Sequence, residues 1–229
     1  SAASLWINAD GKRYCNEGFG FMEWAAYAGA LQPAGKIANV FDSNYEALIK
    51  AQPACHMGID YPNGGMDKLP AILEAAVAGG PEGSGSDSNP VVYAANDYKT
   101  LGGYLGYEGE ALDNFVASIE RYNELCAAGF DEDFGKRKQC LSSLTEPPFY
   151  GVHAGTTLLV TMGGLKINEN QQVIDADAHP IEGLWAAGNC SGNFFFGDYP
   201  ITISGASHGR ACTGGRRAGQ FAADRALGA

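Results

Sequence analysis

The apolar spacing of this chain changes character near Pro147-Pro148, and that change limits the architectures open to it. Ahead of it, Leu112, Phe115, Val116, Ile119, Tyr122, Leu125 and Cys126 recur every three or four residues. That period predicts a helix over residues 110–128, closed by Gly129. Beyond it the apolar runs are short and β-rich. Residues 165–168 and 173–176 flank Glu169-Asn170-Gln171-Gln172 as a hairpin, and residues 184–189 read as a short buried strand. An Ala- and Arg-rich helix is predicted over residues 208–227. The fold class that follows is α+β in two parts, residues 1–150 and residues 151–229.

Within the first part, Leu5 to Tyr14 reads as two strands about an Ala9-Asp10-Gly11 turn, because Asp-Gly supplies the positive φ of a hairpin. A further strand is predicted over residues 37–41, with Ser43 capping a short helix that runs to Lys50. Residues 66–77 form an apolar helix that tolerates Pro70 near its first turn and ends at Gly79-Gly80. The Gly- and Ser-rich residues 81–90 are a surface loop.

Composition narrows the partners. A formal charge of −11 repels nucleic acid and anionic membrane surfaces. No apolar run is long enough to span a bilayer, and the start lacks the basic and apolar regions of a signal peptide. With 45% hydrophobic and 18% charged residues the make-up is that of a soluble globular protein, and the compartment stays open. Six cysteines without a C-x-x-C spacing argue against zinc or iron–sulfur ligation, so no metal is expected. The 32 glycines are about twice the number that average usage of roughly 7% would give. Such an excess marks tight turns and places where backbone closely approaches something else, a large planar cofactor among them.

Three glycine motifs fall in the last third: Thr161-Met162-Gly163-Gly164, Gly183 to Asn189 (GLWAAGN), and Ser204 to Arg210 (SGASHGR). In the second, small residues allow backbone to reach a ligand, and the Asn189 amide can hold a hydroxyl. The third leads into a helix N-terminus, where free N–H groups favour negative charge.

In this order and spacing the motifs resemble the C-terminal segment of the fumarate reductase/succinate dehydrogenase flavoprotein superfamily. That superfamily includes flavocytochrome c fumarate reductases and 3-ketosteroid Δ1-dehydrogenases. The resemblance rests on Pro148-Phe149-Tyr150-Gly151-Val152, Thr161 to Leu165, Val173-Ile174-Asp175, Pro180 to Asn189, and Gly215-Arg216-Arg217-Ala218-Gly219. Upstream, Gly11 to Glu17 (GKRYCNE) and Arg121 to Cys126 (RYNELC) resemble that family's capping domain. The resemblance implies a capping, substrate-binding domain over residues 1–150 and the C-terminal segment of an FAD-binding domain over residues 151–229. It implies FAD as cofactor, a small-molecule substrate, and an electron-donor or acceptor protein as further partner. The G-x-G-x-x-G turn that grips the FAD pyrophosphate in that family does not occur here. The chain is therefore read as a fragment whose partner is an N-terminal FAD-binding half, and alone it is expected to hold flavin weakly or not at all.

By the same resemblance Ala187, Gly188 and Asn189 face the ribityl chain, while Gly205, Ala206 and Ser207 lie by the flavin N1/O2 edge. The residues that grip two carboxylates in fumarate reductases are not matched. Leu159 or Val160 stands in place of a histidine, Thr202, Ile203 and Ser204 in place of an arginine segment, and Tyr45 or Glu46 near the proton-delivering arginine. The ketosteroid dehydrogenase pattern fits better. It places Tyr45, in Phe41-Asp42-Ser43-Asn44-Tyr45, at a substrate C–H, and Tyr199, before Pro200, at a substrate carbonyl. Glu17 is a proton relay or orienting group, and His208 the reserve candidate. The implied chemistry is hydride transfer between flavin N5 and an activated carbon–carbon bond. The alternative is a non-catalytic fragment or subunit that binds a flavin-bearing partner.

Overall fold

In the computed structural model the chain divides into two compact units, Ser1–Thr156 and Thr157–Ala229. The structure describes residues 4–19, 28–51, 67–85, 90–155, 163–192, 194–195, 203 and 205–228. The division falls after Thr156, so the strand that begins at Phe149 belongs wholly to the first unit.

The first unit is built on a four-stranded antiparallel sheet of β1 (Leu5–Asn8), β2 (Lys36–Asp42), β3 (Val92–Ala95) and β4 (Phe149–Gly155), in the order β1-β2-β4-β3. The expected strand at 37–41 is β2, one residue longer at each end. Register pairs Leu5 with Val40, Ile7 with Ala38 and Phe41 with Tyr150, so alternate side chains build two different cores. On one face Leu5, Ile7, Ala38, Val40 and Phe149 pack against α3 (Tyr98–Tyr104) and α4 (Gly109–Ala128) through Leu101, Phe115, Ile119 and Tyr122. On the other, Val92, Ala94 and Tyr150 meet Leu73 and Ala76 of α2 (Leu69–Gly79). Phe41 and Tyr45 pack against that second core, Tyr45 from the start of α1 (Tyr45–Ala51).

The 3.6-residue period was a sufficient guide to α4, whose buried positions are Phe115, Ile119, Tyr122 and Leu125, with Gly129 in the left-handed conformation at its end. The N-terminal turn also forms, with Gly11 at φ 74°. A Cβ on Gly11 would run into the carbonyl oxygen of Ala111, so α4 itself requires glycine there. Asn114 Nδ2 and Ser118 Oγ of α4 donate to the carbonyls of Asp10 and Gly11 at 3.0 and 2.8 Å, fixing the turn on the helix. The second strand of the hairpin reduces to one bridge, Ile7 to Arg13, because Arg13 turns inward.

Arg13 enters a buried charge cluster. Its guanidinium donates to both oxygens of Glu17 at 2.9 Å each and to both of Asp131 at 3.0 and 2.8 Å. Lys136 Nζ lies 3.3 Å from Glu17 Oε2 and donates to Tyr122 Oη at 2.8 Å. Two cations face two carboxylates, so the burial is charge-neutral and each carboxylate has multiple donors. Burial pushes the Asp131 carboxyl up, but Arg13 and the backbone amides of Lys136 and Phe134 outweigh it and hold it at about 2, against an ordinary 3.8. A folded value below the unfolded one gives stability that is complete above the unfolded value and lost as pH falls through the folded one. Urea midpoints are therefore expected to hold down to about pH 4 and then drop towards pH 2, with a shallower acid drop in Asp131→Asn. An identical acid profile in that variant would show that the cluster does not hold Asp131 down.

The second unit pairs β5 (Gln172–Ile174) with β6 (Pro180–Trp185) as an antiparallel hairpin, beside α5 (Ala206–Leu227). The expected buried strand over 184–189 is corrected here. β6 ends at Trp185, five of its six residues are exposed, and Gly188–Cys190 forms a 3-10 turn. Among the described residues the strand is paired on one edge only, by β5, and of its residues only Trp185 is even half-buried. No helix among the described residues is long and apolar enough to cross a membrane.

Candidate cofactor and substrate site

The three glycine motifs, distant in sequence, meet in the second unit around residues 188–192. The described end of the first, Gly163-Gly164-Leu165, docks on the segment after Asn189: Leu165 N donates to Cys190 O at 2.9 Å, and Gly192 N to Leu165 O at 2.7 Å. Gly164, at φ 99°, lies so close that a Cβ would stand 2.6 Å from Cys190 O. The start of α5 joins from the other side, where Ser207 Oγ donates to Asn189 Oδ1 at 3.2 Å. Ala187, Gly188 and Asn189 are thus brought beside Gly205, Ala206 and Ser207. Gly188 takes φ 65° to make the turn, and a Cβ on it would touch Ala211 Cβ at 3.4 Å.

This corner carries features that suit a bound anionic or hydroxyl-bearing group. Gly205 opens α5 at φ 78° with no side-chain cap, and a Cβ built there would meet nothing within 4 Å. Among the described residues nothing stands within 4 Å of such a Cβ, and Ala206 N donates to Ile203 O at 3.2 Å at the helix start. Asn189 is exposed, so its amide nitrogen is open to a ligand while its oxygen receives Ser207. The glycines and the amide fit FAD, since backbone can come within hydrogen-bonding distance of a flat polar ring.

Two residues of this corner escaped sequence reasoning. Ser191, 1% exposed, donates its hydroxyl to Gly188 O at 2.8 Å. Arg210 donates to the Ser191 carbonyl and, at 2.6 Å, to its hydroxyl. The guanidinium also stacks over Phe194 at 4.7 Å and Phe195 at 5.4 Å, and its partial burial lowers its pKa. Arg210 thereby ties α5 to the turn that presents Asn189. The only sequence signal was an arginine in a small-residue helix start following a run of phenylalanines. Arg210 and Arg217 also line a groove of about 630 Å³ with Ile167, Phe194, Ile203 and Thr213.

The expected substrate-handling residues are distributed over both units. Tyr45, half-buried, stands edge-on to Phe41 with ring centres 5.9 Å apart and planes at 73°. Phe41 in turn stacks on Tyr150 at 5.3 Å. Burial raises the Tyr150 hydroxyl's pKa, and the neighbouring Tyr45 adds to the shift. Glu17 is fully buried, with Trp6 N donating to Oε1 at 3.2 Å in addition to Arg13 and Lys136. That geometry places it at the centre of the buried charge cluster, with both carboxylate oxygens engaged by Arg13. His208 is exposed on the first turn of α5. Tyr199 lies outside the described residues, as do Leu159, Val160, Thr202 and Ser204.

Comparison with known proteins identifies relatives of this chain. Vinyl phenol reductase of Lactiplantibacillus plantarum is 33% identical over 223 residues, covering 96% of this chain and 42% of that protein. Among solved structures, 3-ketosteroid Δ1-dehydrogenase from Sterolibacterium denitrificans, in complex with 1,4-androstadiene-3,17-dione, superposes with a TM-score of 0.67 at 21% identity, over 97% of this chain and 39% of that one. The open conformation of a flavocytochrome c3 fumarate reductase gives a TM-score of 0.61 at 24% identity, over 99% and 33%. The two structures show a shared fold, and this chain spans less than half the length of each of these proteins. A sequence profile described as the FAD binding domain matches residues 2–201. The chain belongs to this FAD-binding family and shares the fold of a fumarate reductase and a ketosteroid dehydrogenase.

Proposed function

We propose that this chain supplies the capping region (residues 1–150) and the C-terminal flavin-contacting segment (residues 151–229) of an oxidoreductase that acts on an activated carbon–carbon bond. The meeting of three glycine motifs around Asn189 and Gly205 is the observation that carries this reading. When bound, FAD supplies a hydride donor or acceptor at N5. Asn189 would hold a hydroxyl of the ribityl chain, and the start of α5 would favour negative charge at the N1/O2 edge. Tyr45 would hold or deliver the proton on the carbon next to the one exchanging hydride, and Tyr199 would donate to the substrate carbonyl. Glu17 orients the cap as part of its charge cluster, and His208 is the reserve proton carrier at the start of α5.

The substrate proposed is a neutral or singly charged enone-type or unsaturated acid compound, handled in the manner of a ketosteroid-type enzyme. The histidine and arginine that grip two carboxylates in fumarate reductases are not matched in the sequence, and desolvating unpaired carboxylates costs several kcal/mol, which disfavours fumarate. An N-terminal FAD-binding half and an electron-transfer partner complete the proposed assembly.

The cofactor contact is tested by Asn189→Leu in the flavin-loaded enzyme. Losing one hydrogen bond is worth about 1 kcal/mol, so FAD is expected to bind about five- to tenfold more weakly by fluorescence titration. An unchanged Kd would remove Asn189 from the flavin contact.

A further inference from the structure

Asp42 is a buried carboxylate, 1% exposed, and no cation pairs with it among the described residues. Backbone amides satisfy it instead. Oδ1 accepts from Asn44 N at 3.0 Å, and Oδ2 accepts from Thr145 N at 3.0 Å and Glu146 N at 3.1 Å. The same two stretches are bound in the opposite sense, since Ser43 N and Ser43 Oγ both donate to Glu146 O, at 3.1 and 2.9 Å. Residues 42–44 are thereby fastened to residues 145–146 immediately before α1 begins. The hydroxyl of Ser43, expected to cap α1, is used for this tie.

The tie and the rings act on the same place. Asp42 pairs with Phe149 and Phe41 with Tyr150 in the β2–β4 register. Phe41 is stacked on Tyr150 on one side and meets the edge of Tyr45 on the other. Asp42 ties down the backbone that leads into Tyr45, and the ring of Tyr45 rests on a phenylalanine that is itself stacked on Tyr150.

We propose that Asp42 is a positioning residue for Tyr45, setting through the amides of residues 44, 145 and 146 where α1 starts and where the Tyr45 hydroxyl lies. This rests on Tyr45 being the proton-handling group of the proposed reaction. A carboxylate is needed because the site presents three N–H donors to two oxygens. Asparagine has one acceptor oxygen, and its NH₂ would oppose an N–H on the other side, so Asp42→Asn must break a tie while leaving size unchanged.

The test begins with fluorine NMR of the 229-residue chain labelled with 3-fluorotyrosine, with the Tyr45 line assigned by its loss in Tyr45→Phe. In Asp42→Asn the Tyr45 line is expected to shift and broaden while that of Tyr107, in the opposite core, stays put. If Asp42→Asn does not fold, Ser43→Ala, which cuts only the Ser43 hydroxyl's bond to Glu146, should move the same line by less. A stationary Tyr45 line in the folded variant overturns the proposal. In the flavin-loaded enzyme, with vinyl phenol as the probe, Asp42→Asn should lower kcat about tenfold or more with little change in KM. That loss should vanish when Tyr45 is already phenylalanine. An equal loss in both backgrounds would make Asp42 a purely structural residue and also overturn the proposal. Wild-type turnover in Tyr45→Phe would instead sink the proposed role of Tyr45, while a shifted fluorine line would still show that Asp42 places the ring.

Discussion

Tyr45→Phe and Tyr199→Phe are each expected to lower turnover of the flavin-loaded enzyme by about 10²–10⁴-fold without releasing FAD, the range typical of a general acid or base. The phenol can donate or accept one proton while its ring packs an apolar substrate, and phenylalanine keeps the ring and loses the hydroxyl. At Tyr45 the substitution also keeps the edge contact with Phe41, so the cap should fold normally. An interaction made only in the transition state lowers kcat and kcat/KM together. Single-turnover oxidation of reduced flavin by vinyl phenol or a 3-oxosteroid enone would measure this, alongside the visible spectrum for retained FAD. Rates near wild type in both variants would make the two tyrosines packing residues.

The second large effect is on stability. Arg13→Met should destabilise the first unit by about 3–5 kcal/mol, because it leaves Glu17 and Asp131 inside without their shared cation. The guanidinium also lies 4.8 Å from the centre of the Tyr122 ring and 4.9 Å from that of Phe134, contacts that methionine replaces only in part. Lys136 then remains as the cation paired with Glu17, while Asp131 keeps only backbone donors among the described residues. Urea unfolding monitored by tryptophan fluorescence would read the loss. Adding Asp131→Leu to Arg13→Met should cost less than the sum of the two single changes, since each removes the other's uncompensated charge. Strict additivity, or a single-variant loss below about 1 kcal/mol, would contradict the cluster as described.

What could be read in the sequence was what local rules decide. The period of α4, the Asp-Gly turn at Gly11 and strand β2 each follow from spacing and turn chemistry within a few residues. The convergence of Asn189 with Ser207 was accessible only through the resemblance, because no local rule says that two glycine motifs should meet. The roles of Asp42, Ser191 and Arg210 were not legible. Each depends on partners that only tertiary structure supplies, such as the amides of Thr145 and Glu146 or the hydroxyl of Ser191. Glu17 shows the opposite difficulty. A charged residue in a family-like motif reads as chemistry, whereas its depth and three kinds of donor are invisible until Arg13, Lys136 and Trp6 are seen around it.

The central claim is that the turn at residues 187–189 and the start of α5 at residues 205–207 contact the same flavin. Hydrogen exchange of the intact enzyme with and without FAD measures this directly, peptide by peptide. Both segments are expected to slow together on FAD binding, while peptides spanning Asp131 to Lys136 keep their rates. Bound FAD with unchanged exchange at 187–189 and 205–207 would place the cofactor elsewhere and contradict the account.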